Sequence, residues 1–115
     1  MHRTRKVWGE RWMLRQDSTH ATSYLEIEPW MRCSWHTHRE KYNMFIITEG
    51  ELDILTEDGT VVLVRGDTFV VPPGVKHEFR TRELGCKCVE EMYVDYAESD
   101  IQRERIGGKW SSEQE

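Results

Sequence analysis

Residues 43–80 read NMFIITEGELDILTEDGTVVLVRGDTFVVPPGVKHEFR. Apolar residues recur there in short runs of period two, the spacing of a half-buried strand rather than of a helix face. Each run stops at turn chemistry. Glu49-Gly50 closes the first run. Asp58-Gly59 marks a hairpin, because glycine supplies the positive φ that tight turns need. Arg65-Gly66-Asp67 turns the chain again. Pro72-Pro73-Gly74 is excluded from a central strand, since two prolines remove two ladder donors. The stretch therefore predicts strands over 43–48, 51–56, 61–64, 68–71 and 75–80.

Working outward, 8–15, 21–27, 31–38 and 86–96 show the same pattern, which makes nine short strands. Turn signals every ~8–12 residues predict an antiparallel sandwich or barrel. No connection is long enough for the crossover helix that parallel strands require. Residues 98–105 are expected to form a short C-terminal helix, with Ser99 or Asp100 as its cap. A single domain over 7–108 follows. The ends, 1–6 and 109–115, are charged or polar without apolar periodicity and are expected to be flexible.

The chain has 115 residues, 37% of them hydrophobic and 32% charged, which suffices for one modest core. Its net charge of −5 argues against non-specific nucleic-acid binding. No apolar run approaches the ~18 residues of a membrane span, and no signal-peptide core follows the basic start. A cytoplasmic protein is expected. Cys33, Cys86 and Cys88 are odd in number, so they cannot form a complete disulfide framework, and they read as reduced thiols. Trp8, Trp12 and Trp110 fall in edge or terminal segments that a lone domain would expose. A homodimer covering them is expected.

Of five histidines, His2 and His20 lie in polar contexts. His36 and His38 are two apart on a candidate strand and so share a face. That pair alone is a weak metal signal, with a partly buried or exposed pair as the alternative. His77 follows the Pro72-Pro73-Gly74 turn. Phe45, Phe69, Phe79 and Tyr93 read as core.

These residues resemble the cupin family. Its second motif, G(X)5PXG(X)2H(X)3N, matches at Gly66, Pro72, Gly74 and His77, with Arg80 in the last place. Its first motif, G(X)5HXH(X)3–4E(X)6G, matches at His36, His38 and Gly50. Trp30 stands where the leading glycine is usual, and Asn43 stands at the acidic ligand position. The resemblance implies a double-stranded β-helix, or jelly-roll, barrel holding a divalent metal ion (Zn, Mn, Ni or Fe). It implies His36, His38 and His77 as ligands, with Asn43 bound weakly or through water. Affinity is then expected to fall as pH drops through the histidine range near ~6.5.

Flanking segments resemble, more narrowly, the cupin domain of mannose-6-phosphate isomerases. These are Trp8-Gly9, His36-Thr37-His38-Arg39, the Pro72 to His77 stretch, Asp100-Ile101-Gln102-Arg103 and Gly107. That likeness implies a sugar or sugar-phosphate isomerase-like protein with a small-molecule substrate. Arg39 and Arg80, beside the motifs, are the phosphate candidates, since arginine pairs bidentately with phosphate. Lys76 and Arg82 flank the same motifs. Trp30 and Trp35 bracket the first motif, where a ring could stack on a sugar. No general base is identified by spacing. Two other readings stand beside this one. One is a three-histidine non-haem iron dioxygenase; the other is a non-catalytic sugar-binding cupin.

Overall fold

The period-two segments pair as antiparallel strands in the computed structural model, which describes residues 2–93 and 101–114. Twelve strands are present among them. They are β1 (His2–Lys6), β2 (Gly9–Gln16), β3 (His20–Ile27), β4 (Met31–Arg32), β5 (Trp35–Thr37), β6 (Tyr42–Thr56), β7 (Gly59–Val64), β8 (Thr68–Val71), β9 (His77–Arg80), β10 (Cys86–Tyr93), β11 (Gln102–Arg105) and β12 (Gly108–Lys109). One face runs β1-β2-β3-β10-β6-β8. The other joins β7, β6 and β9, and β9 then meets β4 and β5, which carry β12 and β11. The whole is an all-β jelly-roll barrel.

Strand β6 belongs to both faces. Its first half pairs with β10 and β8, and its second half with β7 and β9. The sequence predicts two strands here with a break at Glu49-Gly50. The chain bends instead of breaking, because Gly50 adopts φ 79°. The ladder slips beside it, leaving Thr48 without a paired residue on β10. The Thr48 hydroxyl donates to the Lys87 carbonyl at 2.9 Å. A Cβ at Gly50 would sit 2.4 Å from the Gly85 carbonyl oxygen. Gly50→Ala is therefore expected to destabilise the fold by about 2 kcal/mol or more, since the left-handed backbone alone costs that order for an L-residue. Urea denaturation checks this; an unchanged midpoint would refute the bend's dependence on glycine.

Three further expectations change. The candidate strand over 31–38 is split into β4 and β5. No C-terminal helix forms in the described part of 98–105, because Gln102–Arg105 is the strand β11, laid against β5. Its backbone donors are drawn into a ladder, which overrides a weak local helix preference. Residues 98–100 lie outside the described residues. The tryptophan argument for a dimer also changes. Trp8 is buried edge-on to Phe79 at 5.2 Å, and Trp110 is only 2% exposed. The segments outside 7–108 carry pairing of their own, as β1 on β2 and Lys109 on Met31.

The core lies between the faces. Leu25, Phe45, Ile47, Leu52, Ile54, Val71 and Cys88 are essentially inaccessible. Most of them alternate along their strands with half-buried or exposed neighbours, as the strand period demands, while Leu52 and Ile54 flank the buried Asp53. At Trp30 the backbone φ is 58°, the one positive value among described residues other than glycine. This is the position where the cupin motif places glycine. The left-handed bend is kept without it, and the ring packs on Trp110 at 5.7 Å. No helix among the described residues is long and apolar enough to cross a membrane.

Candidate metal centre

His36 on β5 and His77 at the start of β9 are direct cross-strand partners. His38 lies two residues beyond His36 on the same face, as strand alternation requires. The Gly74 amide donates to the His38 carbonyl at 2.8 Å, which pins the proline turn that leads into His77. All three rings are buried. Their centroids stand 4.4 Å (His36–His77), 4.8 Å (His36–His38) and 5.3 Å (His38–His77) apart.

Hydrogen bonds fix which nitrogens face inward. His36 Nδ1 lies 2.6 Å from the Ser34 carbonyl, and His77 Nδ1 lies 2.9 Å from the Val75 carbonyl. A carbonyl only accepts, so each Nδ1 carries the proton. Each Nε2 is left with its lone pair, the arrangement typical of a metal-bound imidazole. One ring nitrogen from each of the three histidines lies within 4.8 Å of the others. A tetrahedral ion held at about 2.1 Å would set its ligands about 3.4 Å apart, so small ring rotations close the cluster. The donor set fits a divalent ion, and three buried histidines are placed to bind one. Burial pushes the His36 ring down to about 3, helped by the neighbouring His77 and His38. Burial also lowers His77. Both rings are thus neutral, the form that ligates.

His36 and His38 line a cavity of about 380 Å³, together with Asn43, Glu90, Phe79 and Met92. Asn43 Nδ2 donates to Glu90 Oε2 at 2.8 Å. Asn43 Oδ1 is buried and has no hydrogen-bond partner among the described residues. Glu90 has its carboxyl raised by desolvation, against the pull of Asn43, Lys41, Arg11 and Lys6. It sits outside the histidine cluster. Sequence motifs do not reach it, since it lies beyond both. One signal for it was present: on β10 it shares the inward parity of Cys86, Cys88 and Met92, a carboxylate in an otherwise apolar register.

The phosphate candidates lie elsewhere. Arg39 is exposed, and the Arg80 guanidinium sits 4.0 Å over the Trp110 ring. Lys76 pairs with Glu104 at 2.7 Å and Arg82 with Asp53 at 3.1 Å. None of these four lines the cavity; its cations are Arg5, Lys6, Arg11, Lys41 and Arg103. Arg39 is exposed after His38, whereas Arg80 is buried at the end of β9 against Trp110 rather than in the cavity. Trp30 and Trp35 are likewise not part of the lining. The three cysteines are free and buried, and burial raises the Cys33 thiol, so that it stays protonated and unreactive.

Comparison with known proteins agrees with this fold. The Cupin domain family model matches residues 23–89. No curated protein sequence matches the chain. Among solved structures, the chain is similar to Streptomyces PAC13 with uridine, with a TM-score of 0.79 and 14% identity over 91% of this chain and 84% of that one. The same protein is described elsewhere as a nucleoside dehydratase. KdgF from Halomonas sp. superposes with a TM-score of 0.71 and 15% identity, covering 77% of this chain and 80% of that one. A cupin-2 domain containing protein from Shewanella frigidimarina has a TM-score of 0.66 and 24% identity, over 79% and 85% of the two chains. At such identities the likeness shows the fold, and the substrate does not follow from it.

Proposed function

The chain belongs to the cupin domain family, and on that footing we propose that it is a divalent-metal-binding cupin that moves a proton on a small polar molecule. Within that class we favour an isomerase-like reaction on a sugar or sugar phosphate, similar to that of mannose-6-phosphate isomerase. One observation carries the reading: three buried imidazoles, two of them with Nδ1 held by a carbonyl and Nε2 left to ligate, stand beside a cavity whose one carboxylate among the described residues is Glu90. Aldose–ketose isomerisation needs a base beside the carbonyl carbon and a stabiliser for the developing oxyanion. A bound divalent ion supplies the second as a Lewis acid. His36, His38 and His77 would hold it. Glu90 takes the proton, and Asn43 keeps its carboxylate oriented through the Nδ2 hydrogen bond. Phe79 and Met92 give the cavity part of its apolar wall. The uridine-bound neighbour supports a small polar ligand in this kind of barrel.

The test is deuterium uptake from solvent at the carbon beside the carbonyl of a hexose 6-phosphate, followed by NMR with metal-loaded protein. Glu90→Gln is expected to slow exchange by roughly 10²–10⁴, the usual contribution of a positioned base. Thermal stabilisation by hexose phosphates should accompany it. Exchange that is undiminished in Glu90→Gln would sink the assignment of the base. A second reading, a three-histidine iron dioxygenase, is favoured by a ligand cluster that contains no carboxylate among the described residues. Iron on elemental analysis with oxygen uptake, and no proton exchange, would establish it instead. Ligand binding without either reaction would leave a sugar-binding cupin. Self-association as a homodimer, expected from the sequence, would now have to cover the exposed Val62 and Val64 of β7 rather than Trp8 and Trp110.

A further inference from the structure

Residues 103–105 on β11 read Arg-Glu-Arg, and each of these side chains reaches a residue beside a histidine of the cluster. Arg103 Nε donates to Ser34 Oγ at 3.2 Å, and that oxygen is 3.0 Å from His36 Nδ1. Glu104 accepts from Lys76 Nζ at 2.7 Å, and Arg105 Nη2 donates to Glu78 Oε1 at 2.5 Å. Lys76 and Glu78 are the chain neighbours of His77. In a regular strand three consecutive side chains would alternate between faces. The ladder of β11 on β5 is irregular here. Arg103 pairs with His36 and Arg105 with Trp35, so Glu104 is an extra residue between them. A bulge of this kind re-aims side chains, and bulges gather beside functional sites.

Backbone pairing adds to this. β5 carries His36 and meets β9 at one residue pair, His36 with His77, but meets β11 at three. The position of His36 therefore rests more on β11 than on the strand of its fellow ligand. The Glu78 carboxylate is only 1% exposed, and carboxylates are almost never fully buried without a partner. Arg105 supplies that partner, while its own side chain stays half exposed. Its guanidinium also lies 5.7 Å from the centre of the Trp35 ring, one residue before His36. The Lys76–Glu104 pair is open to solvent and adds little by itself.

We infer that Arg103 and Arg105 of β11 are positioning residues for the metal centre: Arg103 holds Ser34 beside the His36 ring, and Arg105 anchors β11 to β9 at the residue after His77. This rests on the metal-binding reading under the proposed function and assigns the support of its ligands to β11. An arginine only donates, so Ser34 Oγ is held as an acceptor next to the Nδ1 proton, together with the Ser34 carbonyl. That arrangement keeps the Nε2 lone pair for the ion. Ion binding and the docking of β11 then favour each other, by the reciprocity of linked equilibria.

Zinc affinity of the full chain, read by competition with a chromophoric chelator, tests this together with the histidine ring nitrogen NMR signals of the metal-free protein. Arg103→Gln and Arg105→Gln are each expected to weaken zinc binding about tenfold, the low end of the cost of losing the hydrogen-bonded support of a metal ligand. The visible spectrum of the cobalt-substituted protein should change in both variants. Arg105→Lys, which keeps a cation against Glu78, should restore most of the affinity. Arg105→Gln leaves a buried carboxylate without its cation and is the variant at risk of not folding. Arg103 is exposed, so Arg103→Gln keeps the question decidable. In the metal-free parent His36 should show one ring form, protonated at Nδ1, and in Arg103→Gln a mixture of both tautomers. Zinc affinity and cobalt spectrum unchanged in both glutamine variants would overturn the inference, whatever the melting temperature does, because a purely structural role moves only the latter. A parent that binds no zinc, with ring signals that shift as expected, would refute the metal reading alone. Unchanged ring signals in such a parent would overturn this inference as well.

Discussion

His77→Ala is expected to leave a folded protein that no longer retains a divalent ion. His77 faces His36 directly across the β5–β9 ladder, and its Nδ1 is anchored on the Val75 carbonyl. Its Nε2 is therefore a fixed lone pair aimed at the cluster. Removing a mere hydrogen-bond partner of a metal ligand typically costs about 10–100-fold in affinity, and removing the ligand itself must cost more. Elemental analysis after dialysis reads the result: about one ion per chain in the parent and essentially none in the variant. Unchanged metal content in His77→Ala would dispose of the site.

The pH dependence follows from the same geometry and differs from the expectation for ordinary histidines. Burial lowers His36 to about 3, and lowers His77 as well. Protons then compete poorly for these rings, so the ion should still be retained at pH 5. The sign for stability runs the other way. Between about 3 and the ordinary histidine value of ~6.5, the unfolded chain takes up a proton at position 36 that the folded chain does not. The metal-free fold should therefore weaken as pH falls through that window, by up to about 1.4 kcal/mol per pH unit from this one group. Metal lost midway through an otherwise folded titration near pH 6.5 would contradict the lowered His36 and His77.

Trp110→Ala is expected to be the most destabilising single change outside the strands of the barrel core. The ring is 2% exposed, and its Nε1 donates to the Thr81 carbonyl at 2.8 Å. It packs on Trp30, and the guanidinium of Arg80 lies over its face at 4.0 Å. Its backbone amide donates to the Trp30 carbonyl at 3.1 Å, which closes the segment after β12 against the left-handed bend at Trp30. Truncating a buried tryptophan costs about 3–5 kcal/mol, a large fraction of the 5–15 kcal/mol typical of a domain. At about 4 °C or more per kcal/mol, Tm should fall by at least about 12 °C. A fall of only a degree or two would mean that the segment after residue 108 contributes nothing to the fold. The same comparison, made on a chain ending at residue 108, separates the ring from the backbone pairing.

How far the sequence reads depends on the range of the interaction involved. Alternation, Gly50, Asp58-Gly59 and Pro72-Pro73-Gly74 are local signals, and they were sufficient for an all-β barrel with most of its strands in place. The spacing around His36, His38 and Gly66 to His77 marked the histidines, because strand parity acts within two residues and the proline turn within a few more. What acted at longer range was not legible. Residues 102–105 became a strand only because β5 offered an edge. Trp8 and Trp110 were buried only because Phe79 and Thr81 were brought to them. Glu90 joined Asn43 across the β6–β10 ladder, and Arg11, Lys41 and Arg103 gathered around one cavity from three distant segments.

By itself, then, the sequence determined the strand period, the turns and the identity of the three imidazoles, all of which follow from backbone dihedrals and side-chain parity. Tertiary structure alone decided which charges face those imidazoles, which carboxylate stands nearby and which tryptophans are core. Coulomb forces and burial depend on distance through space, and that distance exists only once the sheets have closed.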